Sequence, residues 1–294
     1  MGKANNNEEL LAASIRHLVF QNALLQRALP IIMAQAECSW RVVLSMAWCL
    51  HDTVESLVIL GDALKVRDSL VLSRVATEVA VNTAYVCATR DAGATLAEQH
   101  ARQKDLRELV QWAEFKTRYL FQLTEEQKQQ VLAVGRELVS VRRLKEADPA
   151  LAEALTCFTS RRGDEITSWS KSGIRSRLPA IEERYGAKVF RIAVDAIYRD
   201  SSEVIHGTFY GYLLSHGQTC VHPHELAGAD ALVAYYRVRI ADVLTLISVV
   251  VQDLLCVLDK ELGVPEIVKE SRSGLEQVRG LWNRRWNRSK QDRK

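Results

Sequence analysis

Punctuation is scarce in this sequence. Only 14 glycines and five prolines interrupt 294 residues, and apolar/polar alternation bounded by turn residues is rare, which argues against a sheet-built fold. There is no GxxxxGK[ST] loop, GxGxxG turn, GxSxG elbow or HExxH helix, so P-loop, dinucleotide-binding, hydrolase-elbow and zincin chemistries lack their residues. No two of the six cysteines (Cys38, Cys49, Cys87, Cys157, Cys220, Cys256) form a CxxC pair. Most fall in apolar helical runs and are expected as reduced, buried thiols. The most apolar run, Val243 to Leu258, is cut by Gln252 and Asp253 and bounded by Asp242 and Asp259. It is expected to be a core helix, not a transmembrane span, and no membrane partner is expected. The opening MGKANNNEELL has no secretory signal pattern, and Asn6 stands where a myristoylation motif takes Ser or Thr. The cytoplasm is the expected location.

What the chain does have is helical periodicity. Apolar residues make up 48% and charged residues 26%, an ordinary globular balance, and the apolar ones recur at three- and four-residue spacing nearly throughout. The pattern predicts helices near 7–28, 37–65, 68–90, 94–122, 124–146, 149–160, 178–212, 228–262 and 265–285. Thr124 followed by Glu125, Glu126 and Gln127 reads as a cap with an acidic first turn, and Pro149 and Pro265 suit first-turn positions. The expected fold class is therefore all-α, a multi-helix bundle. It divides as an N-terminal helical arm (1–36), a core (37–262) and a basic C-terminal helix and tail (263–294), with a two-domain split near residue 150 as the alternative.

Charge is concentrated at one end. Residues 275–294 hold seven Lys/Arg against Glu276 and Asp292, so this segment carries +5 of a net +3 and the rest is −2. Arg284, Arg285 and Arg288 alternate there with Trp282 and Trp286, a combination that can meet phosphates and stack on bases. A solvated terminus has the same composition.

Two polar rows cross otherwise apolar helices. In the first, Arg74, Glu78 and Asn82 follow each other at four-residue steps and so share a helix face. The second comprises Asp195, Arg199, Ser202 and His206, at steps of four, three and four. Arg199 and His206 lie two turns apart and about 20° from alignment, roughly 10 Å along the axis. An imidazole moves protons near neutral pH and a guanidinium holds a phosphate, which together suffice for metal-independent attack by a ribose 2′-hydroxyl. Asp195 or Glu78 can orient the pair, and Ser202 can hold substrate. The alternative is structural: a buried network tying two core helices, with Arg199 paired to Asp195 and His206 satisfying the backbone.

Arg199 through His206, with Asp200 after the Arg, resembles the R-x(4 to 6)-H signature of the HEPN superfamily of helical nucleotide-binding and RNase domains. That resemblance implies a HEPN-like core with additional N- and C-terminal helices, Arg199 and His206 as catalytic residues, frequent homodimerisation, and a place in toxin or antiphage systems. A longer stretch, about 40–215, is similar to a mostly bacterial family catalogued as domain of unknown function 5677. Arg74 and Glu78, Trp169, and the row Tyr198, Ser202, His206 and Gly207 carry that similarity. It implies that the two rows meet at one site.

The resulting expectation is a HEPN-like ribonuclease. Arg199, His206 and Glu78 would be catalytic, Arg74, Ser202, Asp195 and Tyr198 would contact substrate, and the tail would bind nucleic acid. The expected partners are RNA or a nucleotide, a second copy, or a protein of a defence or toxin system. The alternatives are a non-enzymatic helical interaction or regulatory module and a nucleotide sensor in which Arg74 and Arg199 grip phosphates. No cofactor or metal is expected. The cluster His216, Cys220, His222 and His224 matches no familiar zinc spacing, and His17, His51 and His100 stand singly without spaced partners.

Overall fold

In the computed structural model the described residues are 2–119, 124–138, 148–170, 173–215, 229–274, 276 and 280. Among them the chain folds into α1 (Gly2–Met33), α2 (Cys38–Asp62), α3 (Val66–Thr89), α4 (Asp91–Tyr119), α5 (Glu125–Leu138) and α6 (Pro149–Cys157). A 3-10 turn (Ile174–Arg177), α7 (Leu178–Tyr185), α8 (Val189–Ile205), α9 (Phe209–Ser215) and α10 (Ala229–Leu262) follow, then a helical stretch over 265–274. No β-strand forms among these residues, and one isolated bridge joins Thr159 and Glu165. The all-α expectation holds.

The chain divides differently from the sequence reading. One unit joins both ends of the chain, Met1–Thr89 with Ile174–Lys294, and the other is the continuous stretch Arg90–Gly173. The first unit is organised around α10. Its Ile240, Leu244, Ile247, Val251, Leu254, Leu255 and Leu258 are fully buried, packed among α1, α2, α3 and α8, and each such side chain contributes about 1.5–3 kcal/mol when removed from water. By length and composition both α2 and α10 could cross a membrane, and in this fold 33% and 67% of their apolar windows are buried, respectively.

Far from standing off as an arm, α1 is core. Leu18, Leu24, Leu25, Ala28, Leu29 and Ile32 are buried at helical spacing, and the helix packs on α10 and α2. Polar pairs fix its register against 265–274. Gln21 donates to the Ser271 carbonyl at 3.0 Å and accepts from its hydroxyl at 2.6 Å, while Arg27 grips Glu270 through two bonds of 2.6 and 3.0 Å. At Gly61 α2 comes close to α10, since a Cβ there would sit 2.9 Å from a Leu244 methyl.

The helix expected over 178–212 is three helices. Gly186 (φ 69°) closes α7 and Gly207 (φ 64°) follows the end of α8, a left-handed backbone that glycine adopts without a Cβ penalty. In the second unit the expected starts are in place. Thr124 and Gln127 form a reciprocal capping box, with bonds of 3.0 and 3.2 Å, and Asp148 caps α6 by accepting from the Leu151 amide at 3.0 Å beside Pro149. Within that unit His100 meets the Thr167 carbonyl at 3.0 Å and Lys104 pairs with Glu165 at 3.2 Å, holding the 159–168 turn on α4.

Not all cysteines are interior. Cys87 is buried and Cys157 and Cys256 are half-buried, but Cys38 and Cys49 are exposed. Both lie on α2, which turns part of its apolar composition outward, with Trp48 45% and Ile59 68% exposed.

Candidate functional site

The first polar row faces inward, and Tyr198 closes it. From α3, Arg74 donates through Nε to Glu78 at 2.9 Å and through Nη2 to the Tyr198 hydroxyl of α8 at 2.8 Å. Its guanidinium lies 3.9 Å from the centroid of the Tyr198 ring, a cation–π contact on top of the hydrogen bond. Glu78 also acts on the Tyr198 hydroxyl electrostatically, so Arg74, Glu78 and Tyr198 form one polar cluster held together by the guanidinium. One turn further along α3, the Asn82 side-chain oxygen accepts from Arg177 at the end of the 3-10 turn.

Burial sets the electrostatics of this cluster. Desolvation opposes the Arg74 charge, but the bonds to Glu78 and Tyr198 outweigh it, and its pKa lies above the ordinary guanidinium value. For Arg177, 6% exposed, desolvation prevails over the attraction of Glu78, Tyr85 and Tyr198 and the pKa is lowered. Burial and the neighbouring Glu78 raise the Tyr198 phenol, against the pull of Arg74. Tyr198 is therefore held as the neutral phenol, able to accept from Arg74.

The second row faces the opposite way. On α8 the buried residues are Phe190, Ala193, Val194, Ile197, Ser201 and Val204, which leaves Asp195, Arg199 and His206 exposed and Ser202 half-buried. The Arg199 side chain is 83% exposed, and its Nε lies 3.5 Å from Asp200, a loose contact at such exposure. Asp200, 14% exposed, has its shorter bond to Arg239 of α10, at 2.5 Å. Asp195 pairs with Arg175 at 2.9 Å, so the Arg199–Asp195 pair of the structural alternative does not form. His206 is the residue that ends α8, its amide bonding the Ser202 carbonyl at 3.0 Å.

Immediately beyond, α9 is clamped onto the end of α8. Thr208 donates to the Glu203 carboxylate at 2.7 Å and caps α9 through the Gly211 amide at 3.0 Å. Gly211 itself lies so close that a Cβ would meet the Glu203 carbonyl oxygen at 2.4 Å. The clamp leaves Tyr210 and Tyr212 exposed next to His206.

Structure and sequence reading thus agree on the faces but not on a single pocket. Arg74, Glu78 and Tyr198 come together. Asp195, Arg199, Ser202 and His206 share an outward face, and the contacts found for Arg199 are with Asp200 rather than with Arg74 or Glu78. Arg284, Arg285 and Arg288, with the 216–224 cluster, lie outside the described residues. Two groups escaped the sequence reading. Arg177 sits in a loop-like stretch with no periodicity. His51 does have spaced partners after all, since Asp52 and Glu55 at +1 and +4 bring one ligand atom each within 4.8 Å of one another; a His with carboxylates at those offsets was the available signal. Compared with known proteins, the chain matches no family model, no curated protein and no solved structure.

Proposed function

We propose that the outward face of α8 is a phosphodiester-binding and cleaving surface and that the chain is a HEPN-like endoribonuclease. The observation that carries this reading is the shared exposure of Arg199 and His206 two helical turns apart on one face. Arg199 would hold the scissile phosphate and offset the charge growing on its oxygens. His206 would accept the 2′-hydroxyl proton as that oxygen attacks phosphorus, or return a proton to the departing 5′-oxygen. Ser202 and Asp195 flank the pair, while the Arg74–Glu78–Tyr198 cluster acts from behind, as positioning residues that fix the rotation of α8.

Transesterification needs both proton transfers, and this face offers a single imidazole. A second copy meeting the first across α8 would supply the other. Exposed apolar residues support a covered face: of the nine large hydrophobics exposed among the described residues, Ile192, Ile205, Tyr210 and Tyr212 cluster between 192 and 212. The same residues favour a second reading, a non-enzymatic interaction module that docks a protein partner there. A cytoplasmic role in a toxin or antiphage system accompanies the first reading through its HEPN resemblance.

Purified wild type, Arg199→Ala and His206→Ala, each checked for folding by circular dichroism, decide between the readings when incubated with mixed RNA in chelator. Cleavage by wild type alone is expected, with losses of about 10²–10⁴-fold in the variants. Equal cleavage by His206→Ala would sink the catalytic assignment, and cleavage by none would leave the docking module as the better account.

A further inference from the structure

Elsewhere in the first unit, on the outer side of α2, the structure assigns a divalent transition-metal site to His51, Asp52 and Glu55. It is independent of the proposal for α8. The three residues project from adjacent positions of one helix, and their ligand atoms, one imidazole nitrogen and two carboxylate oxygens, lie within 4.8 Å of one another. Two ligands on one ion with bonds of about 2.0–2.2 Å can be at most ~4.4 Å apart. His51 Nε2 and Glu55 Oε1, at 3.5 Å, already meet that limit, and a rotamer adjustment of the exposed Asp52 and Glu55 side chains closes the rest.

The second observation is the state of His51 itself. The residue is 5% exposed and boxed in by Trp48, whose ring stands edge-on to it with centroids 5.6 Å apart. Its Nδ1 is buried with no hydrogen-bond partner, and its Nε2 faces Glu55 at a distance longer than a good N–H···O bond. With the proton on Nε2, that weak contact is all the ring gains. With the proton on Nδ1, the bare Nε2 lone pair points at a carboxylate and is repelled. A cation between Nε2 and the carboxylates turns that repulsion into coordination, with the proton held on Nδ1.

Donor chemistry narrows the ion. One imidazole with two carboxylates suits Zn²⁺, Mn²⁺, Fe²⁺ or Co²⁺ over the all-oxygen cages of Ca²⁺. Solvent exposure of both carboxylates gives an entry path and leaves coordination positions for water. With ligands drawn from two successive turns of α2, the ion would staple that helix face.

The test uses tag-free, full-length protein titrated with Zn²⁺ by calorimetry and with Co²⁺ by visible absorption. One equivalent is expected to bind. Asp52→Asn and Glu55→Gln, both at exposed positions, should weaken binding roughly tenfold or more, since even outer-shell changes cost metal sites about 10–100-fold. His51→Ala, where it folds, should abolish it, and a His222→Ala/His224→Ala double variant should bind like wild type. No binding by wild type, binding undiminished in both carboxylate variants, or binding lost only in the His222/His224 variant would each overturn the assignment.

Discussion

Arg74–Glu78–Asn82 and Asp195–Arg199–Ser202–His206 are two rows with nearly the same spacing on helices that pack together, yet one is turned in and the other out. In α3 the row is consumed by the fold: Arg74 is tied to Glu78 and to Tyr198, and Asn82 to Arg177. In α8 the apolar residues on the far side bury that face and leave Arg199 and His206 to solvent. Spacing therefore fixes which residues share a face, whereas the environment of that face decides whether charges act on one another or on something that arrives. The partner of the inner row is a residue of α8 one position away from the outer row, Tyr198 beside Arg199, about 100° around the helix.

The largest expected effect extends the contrast to histidines. Whereas His206 is exposed, His17 is buried with Nε2 unpartnered, and desolvation lowers its pKa from 6.5 to about 4. The unfolded chain then binds a proton below 6.5 that the folded chain refuses until about 4. Stability is fully present above the unfolded value and declines as pH falls through this window, by about 3 kcal/mol in total. Urea denaturation from pH 7 to 4 should show that slope, and His17→Asn should flatten it; an unchanged slope would break the contrast.

Next comes Glu78→Ala, which takes the carboxylate away from Arg74 and Arg177. With Glu78 37% exposed, a loss of about 2 kcal/mol is expected, below the range for a fully buried pair. Tyr198→Phe keeps the ring beneath Arg74 but removes the hydroxyl that accepts from it, and about 1 kcal/mol should go with it. Smallest of all, Arg199→Ala should change unfolding free energy by less than about 0.5 kcal/mol. A value near that of Glu78→Ala would mean that the outer row is structural as well.

Much of this was legible in the residues. Periodicity places the long helices within a few positions, and the Thr124–Gln127 and Asp148–Pro149 starts are visible because caps are local chemistry. Whether a single glycine takes the left-handed conformation is not local, and so 178–212 reads as one helix until Gly186 and Gly207 break it. Likewise α1 has a core helix's spacing, but its partners in α10 and 265–274 lie more than two hundred residues away. In the candidate site the grouping of each row on one helix face was legible, whereas Tyr198, read together with Ser202 and His206, bonds Arg74 of the other row. Arg177 was not legible, since nothing in a short irregular segment announces which side-chain amide will receive it.

The division of the chain also sets an order in time. The stretch Arg90–Gly173 is continuous, so the residues of that unit leave the ribosome one after another without interruption. By contrast, the main partner of α1 is α10, which is made last among the long helices. Until residue 262 has emerged, α1 can pair with α2 but lacks its main partner, and an apolar helix face left uncovered in this way is open to misassociation during synthesis.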